Sequence, residues 1–167
     1  LMFYFYNKNY DKDGKKAFKG KIDKKLVDFY KSDNFFKLKY PKSIDREYFK
    51  KFYNKLIKIK NIDAIHTASM MTIEGINLGL KLINKKINNL ILTGGGRKNL
   101  FLVNKLKKIY ESKGINIVLV DKLNFNGDFL EAQAFAYLSI RCIRKLPLSL
   151  PTTTGVKIPT EGGIIYN

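Results

Sequence analysis

The sequence predicts an α/β fold, and three neighbouring segments carry the prediction. Asn89-Leu90-Ile91-Leu92-Thr93 is a short apolar run that ends abruptly in Gly94, Gly95 and Gly96. Apolar residues then recur at helical spacing at Leu102, Leu106 and Ile109. Ile115-Asn116-Ile117-Val118-Leu119-Val120 follows, rich in β-branched residues and preceded by Gly114. Strand, glycine turn, helix, strand is the pattern of two parallel strands joined by a right-handed helical crossover.

The other elements fall around this unit. Residues 1–20 read as irregular, with Asp11-Lys12-Asp13-Gly14 as a tight turn. A helix is expected over residues 23–31, with Leu26, Val27 and Tyr30 on one face. Pro41 keeps Tyr40 out of helical geometry. A second helix is expected after Ser43 or Asp45, either of which can cap it, burying Phe49, Phe52, Tyr53, Leu56 and Ile57. A third is expected over residues 62–83, with Ile65, Ala68, Ser69, Thr72, Ile73, Ile76 and Leu80 as a narrow face of mostly small side chains. After Asn126-Gly127-Asp128, a helix over residues 129–145 carries Leu130, Ala134, Tyr137, Leu138 and Ile140. The tail, residues 147–167, reads as coil closing on a short strand near Gly162-Gly163-Ile164-Ile165-Tyr166.

Composition narrows the function. A chain of 167 residues with 45% hydrophobic residues builds one folded domain with a real core. The longest apolar run, around Leu90-Ile91-Leu92, is far short of the roughly 20 residues a spanning helix needs, and the aromatic N-terminus has no signal-peptide pattern. One cysteine, Cys142, and one histidine, His66, exclude an intrachain disulfide and a zinc cluster, and a cytoplasmic location is expected. The net charge of +18 is spread along the chain in pairs such as Lys15-Lys16, Lys50-Lys51 and Lys107-Lys108, so neither a nucleic-acid nor a membrane partner is expected.

Among chemistry-bearing residues, the triple glycine stands first. Glycine at a strand-to-helix turn lets backbone approach a ligand, and the N–H groups of the following helix suit anionic or polar groups. The spacing fits neither the dinucleotide fingerprint nor the Walker loop, and a ligand-binding turn and a purely structural turn are both open on it. Asp128 and Glu131 lie three residues apart at a helix start, where capping and the macrodipole account for acidic groups without catalysis. His66 reads as a packed core histidine and Cys142 as a buried inert thiol. No metal site is expected.

The order of the motifs says more than any one of them. Tyr10-Asp11 with Gly14, Ala17 and Gly20; Pro41-Lys42-Ser43 with Arg46-Glu47 and Phe49; Asp63, Thr67 and Thr72; Leu92-Thr93-Gly94-Gly95-Gly96 with Asn99; Asp121 and Gly127-Asp128; Glu131-Ala132 with Ala134-Phe135-Ala136 and Leu138; and Pro151, Thr154-Gly155 and Gly163-Ile164-Ile165 follow one another. In this order the chain resembles the C-terminal half of anhydro-N-acetylmuramic acid kinases.

The resemblance implies a ribonuclease-H-like lobe of the sugar kinase, hexokinase and actin superfamily, a mixed sheet with packed helices, spanning residues 1–167 as the nucleotide-binding half of a two-lobed enzyme. It implies ATP with Mg2+ and phosphorylation of 1,6-anhydro-N-acetylmuramic acid with hydrolytic opening of the anhydro ring, giving N-acetylmuramic acid 6-phosphate in cell-wall recycling and amino sugar metabolism. By the resemblance Gly94, Gly95, Gly96 and Asn99 contact the nucleotide on its adenosine side, and Glu131 is a catalytic, substrate-side carboxylate. Homodimers are a tendency of the family.

The family's Gly-, Ser- and Thr-rich phosphate loop and its Asp-Thr-Gly-Pro-Gly-Asn segment, which supplies the aspartate that activates water, do not occur here. Leu1-Met2-Phe3-Tyr4 is expected to lie partway through a fold, and the chain is expected to be inactive alone, lacking the N-terminal lobe and exposing the surface that lobe covers. The alternative is a non-catalytic nucleotide-binding module or partner lobe. The family's usual alanine after the glycines is replaced by Arg97-Lys98, expected to alter the nucleotide rim.

Overall fold

A computed structural model describes residues 1–166 of the chain. The central element is α4 (Asn61–Lys81), packed on two sides. On one side lie α2 (Lys24–Lys31) and α3 (Lys50–Leu56), whose Leu26, Val27 and Leu56 form a core with Ala64 and Met71. On the other lie α1 (Met2–Tyr6), a 3-10 turn over Ala17–Lys19, α5 (Leu100–Tyr110) and the sheet, which join Met2, Ala17, Phe101, Leu106, Tyr110 and Ile117 to Ile65 and Ile73. The strands β1 (Asn89–Leu92) and β2 (Asn116–Leu119) pair in parallel, Asn89 beside Asn116 through Leu92 beside Leu119, with α5 connecting them. The expected strand, glycine turn, helix, strand unit is therefore present.

Local chemistry explains the helix starts. Asp23 caps α2 by accepting from the Leu26 N–H at 3.0 Å. Asp45, not Ser43, opens the second expected helix: it accepts from the Glu47 N–H and starts a 3-10 turn over Arg46–Phe49 that runs into α3. Beside it, Tyr30 makes edge contacts with Phe36 and Phe52, and Asp33 accepts from the Tyr48 hydroxyl at 2.6 Å and from Lys51.

Several expectations are corrected. Residues 1–20 are not irregular throughout. Met2–Tyr6 is helical, closed by Asn7 in the left-handed region at φ 50° with its N–H returning to the carbonyls of Met2 and Phe3. On α4, Thr72 faces solvent and returns its hydroxyl to the Ala68 carbonyl, because the helix buries two faces instead of the single narrow one expected. The sheet is parallel, not mixed; among the described residues the only antiparallel pairing is an isolated bridge between Ser149 and Thr160. No strand forms over residues 162–166, where the backbone hydrogen bonds with no neighbouring strand; Asn167 lies outside the described residues.

The last long helix, α6 (Leu130–Ile143), is present but buries no residue, and Ala134, Tyr137 and Ile140 face solvent instead of the core. The short α7 (Pro151–Thr154) follows in the tail. Among the described residues no helix is long and apolar enough to cross a membrane.

Two glycines give opposite expectations from the same substitution. A Cβ on Gly20 would stand 2.3 Å from the Ile62 carbonyl oxygen, whereas one on Gly79 of α4 would meet nothing within 4 Å. Gly79→Ala should stabilise by ~0.5 kcal/mol through helix propensity. Gly20→Ala should destabilise by about 2 kcal/mol through overpacking against backbone. Chemical denaturation of the two variants measures both.

Candidate active site

The site is built where β1 ends. Gly94 leaves the strand at φ 67°, a conformation that excludes most side chains, and residues Gly95–Lys98 form one 3-10 turn before α5 begins. Asn99 caps α5, its Oδ1 accepting from the Phe101 and Leu102 N–H groups at 3.1 and 3.3 Å. A Cβ placed on Gly94, Gly95 or Gly96 would meet nothing within 4 Å, so the glycines border open space, not packed protein.

That space is divided in two by the turn. On one side Gly95, Gly96, Lys98 and Asn99 face Tyr10, Asp11, Lys12 and Asp13 across a cleft of about 570 Å³. The facing loop is rigid for visible reasons. Asp11 accepts from the N–H groups of Lys16 and Ala17 at 2.9 Å each. Gly14 lies so close to the start of α5 that a Cβ would stand 2.3 Å from Asn99 Oδ1. On the other side Thr93, Gly94 and Gly95 face Gly127, Asp128, Leu130 and Glu131 across a second cleft of about 420 Å³. Two separate sequence motifs, around Asp11 and around the glycines, thus become walls of one cleft, and Glu131 lines a cleft on the far side of the same turn. Glu131 is exposed, and among the described residues its carboxylate has no side-chain partner.

Arg97 behaves differently from the sequence expectation. It does not reach the nucleotide rim: its side chain turns inward and the residue is 6% exposed. Nε and Nη2 donate to the two oxygens of Asp121 at 2.6 and 3.1 Å, and Nη1 donates to the Gly94 carbonyl at 2.9 Å and lies 3.0 Å from Asp128 Oδ1. Lys98 stays exposed and pairs with Asp128 at 2.7 Å. Gly127 makes room, since a Cβ there would stand 2.4 Å from Arg97 Nε. Asp128 consequently does not cap α6; the residue before the helix is Phe129 and no side chain caps it.

The remaining candidates lie outside both clefts, and His66 and Cys142 are less deeply buried than expected. His66 is half-buried, with Nδ1 2.7 Å from the Ala17 carbonyl oxygen and its ring edge-on to Phe101. Cys142 is half-buried beneath Gly163. Asp63 accepts from the Lys21 N–H at 2.7 Å and buried Thr67 accepts from the Asp23 N–H at 3.0 Å, so these two motif residues hold the segment leading into α2.

The clasp has a pH signature. Hydrogen bonds from Arg97, reinforced by the Gly127 N–H, hold the Asp121 carboxyl at about 2, below the ordinary carboxylate range. A depressed carboxyl stabilises fully above its unfolded value of roughly 4 and loses that contribution as pH falls toward the folded value. Asp121→Asn should therefore lower Tm at pH 7, with the gap from the parent protein closing between about pH 4 and 2; thermal melts across that range measure it.

The anhydro-N-acetylmuramic acid kinase family matches residues 3–167. A relative from Jannaschia sp., named anhydro-N-acetylmuramic acid kinase 1, is 35% identical over 153 residues, which are 92% of this chain and 40% of the relative. Anhydro-N-acetylmuramic acid kinases from Methylorubrum populi and Zymomonas mobilis are each 34% identical, over 93% and 95% of this chain and 40% and 42% of their own lengths. The chain thus spans about two fifths of the length of the curated relatives it matches. With the family's match running from the third residue to the last, the chain belongs to the anhydro-N-acetylmuramic acid kinase family.

Proposed function

We propose that this chain is the nucleotide-binding half of an ATP-dependent kinase acting on 1,6-anhydro-N-acetylmuramic acid, and that turnover requires the rest of the family's chain. The carrying observation is the division of space by the glycine turn, with an open cleft beside residues 10–13 and the Glu131 cleft on the reverse side. A two-substrate transfer needs two adjoining sites, and Gly95 lines both clefts.

The first cleft suits ATP. Its volume lies within the range of ordinary ligand sites, roughly 300–1,000 Å³. Gly95 and Gly96 leave the backbone open, Asn99 keeps its amide nitrogen to donate while its oxygen caps α5, and Lys12 complements phosphate charge at the rim. Asn99 is held in place by the helix it caps, so the ligand does not have to order it.

For Mg2+ the fit is poor. Among the described residues no group of three or more His, Cys, Asp or Glu is placed to hold a metal. Asp11 already accepts from two N–H groups, Asp13 lies 3.4 Å from the Lys15 ammonium, and Asp121 and Asp128 are paired with Arg97 and Lys98.

In the reaction water gives up a proton to a base as its oxygen bonds C1 of the sugar and the C1–O6 bond breaks, and O6 takes the γ-phosphoryl group while ADP leaves. Glu131, an unpartnered carboxylate beside the glycine turn, is suited to exchange a proton with a sugar oxygen as the ring opens. The sequence holds no counterpart of the family segment whose aspartate activates water. Phosphoryl transfer depends on positioning and on stabilising charge, so half of the constellation binds without turning over.

Gly95→Val tests the cleft without disturbing the fold, because its side chain would project into open space. The variant should keep its melting temperature and lose at least about tenfold in ATP affinity by calorimetry. Equal affinity in the two proteins would count against the assignment. Adding a family N-terminal lobe in trans should give sugar phosphorylation that the chain alone lacks. ATP binding with no turnover in either case would favour a non-catalytic nucleotide-binding module.

A further inference from the structure

Packing does not fix the helix that carries Glu131. No residue of α6 is buried, and Phe135, Tyr137 and Ile140 are at least half exposed. At its C-terminal end α6 is tied to the tail, by Arg141 Nε donating to the Pro147 carbonyl at 2.8 Å and by Cys142 lying against Gly163. The tail in turn approaches the body where Gly155 faces Pro41. At the N-terminal end the attachment is tighter. Gly127 fits under the Arg97 guanidinium and donates its N–H to Asp121, and Asp128 pairs with both Arg97 and Lys98.

Arg97 also donates to the Gly94 carbonyl from the same nitrogen that faces Asp128. Gly94 belongs to one wall of the Glu131 cleft, and Asp128 lies three residues before Glu131 on the other. One buried guanidinium therefore touches both walls. Its planar fork fixes direction as well as charge, which a lysine ammonium does not. Lys98 reaches Asp128 alone, from an exposed position.

We propose that Arg97 is a positioning residue that sets the separation of Glu131 from the glycine turn, acting through Asp128 on one side and the Gly94 carbonyl on the other. The proposal rests on reading Glu131 as the substrate-side carboxylate. A side chain that merely stabilised the fold would lower the melting temperature and leave that separation unchanged.

The test is a distance measurement on the full chain. Nitroxide labels at Asn104→Cys on α5 and Gln133→Cys on α6, both exposed positions, in a Cys142→Ser background report the separation by pulsed EPR. Arg97→Ala and Asp128→Asn should broaden the distribution about twofold, with Arg97→Lys between them and the parent. Asp63→Asn, which removes a remote loop contact, should leave it narrow. An unchanged distribution in folded Arg97→Ala, or equal broadening in Asp63→Asn, would overturn the proposal. If Arg97→Ala does not fold, Asp128→Asn decides alone, because that side chain is half exposed.

In the complemented assay Arg97→Lys should lower kcat about tenfold while KM for ATP changes less than about twofold. A rise in KM at constant kcat would contradict the positioning role. Absence of turnover by the complemented parent protein would defeat the kinase reading and leave the distance result to judge the clasp by itself.

Discussion

A guanidinium taken out of water must find acceptors for its donors, and Arg97 finds them in one neighbour within its own turn and in two carboxylates 24 and 31 positions onward. Asp121 follows β2, Gly94 ends β1, and Asp128 precedes α6. Burying a charge is tolerated only when it is paired and hydrogen-bonded, so the exits of both strands and the start of α6 are constrained together. The parallel pairing of β1 with β2 sets the sheet, but Arg97 determines what its C-terminal edge presents. Ligands of open α/β sheets bind at that edge, and here it presents a glycine turn with open space on both faces.

The opposite sides of the turn are built from different materials. The wall at residues 10–13 is held by backbone: Asp11 gathers N–H groups, and Gly14 presses against the start of α5. The wall containing Glu131 is held by charge, through Asp128, on a helix with no fully buried residue. The first is a preorganised surface, while the second depends on a few ionic contacts. Relatives of more than twice this chain's length contain sequence beyond the matched region, and α6 leaves apolar residues such as Phe135 largely exposed, at 64%.

How far the sequence could be read follows the same division. The strands, the glycine turn and α5 were legible because short β-branched runs, glycine and helical spacing are local signals. Asp23 was legible as the start of α2 for the same reason. The helix at Met2–Tyr6 was not: an aromatic run carries no helical period, and its form rests on burial of Met2 and closure at Asn7. Arg97 was misread because charge ordinarily signals solvent, and the partners that bury it lie 24 and 31 positions onward in the chain. The acidic residues Asp121 and Asp128 were the available hint. The orientation of α6 was misread in the opposite sense, since its apolar residues promise a core that the chain does not provide. Of the candidate site, Gly94, Gly95, Gly96, Asn99 and Glu131 were all named from sequence, but the placement of Glu131 beside the turn is a tertiary fact.

The central claim is that the open side of the glycine turn toward residues 10–13 is a nucleotide site and not merely a structural bend. A protein of net charge +18 attracts ATP at many surface lysines, so affinity alone is weaker evidence than location. The most direct measurement is an NMR titration with a non-hydrolysable ATP analogue at about 0.15 M salt, where exposed charges are screened beyond roughly 8 Å. Amide shifts should concentrate at residues 10–13 and 94–99, saturate together, and spare the lysine-rich segment around Lys85 and Lys86. Shifts spread over that segment, without saturation at the glycines, would contradict the account.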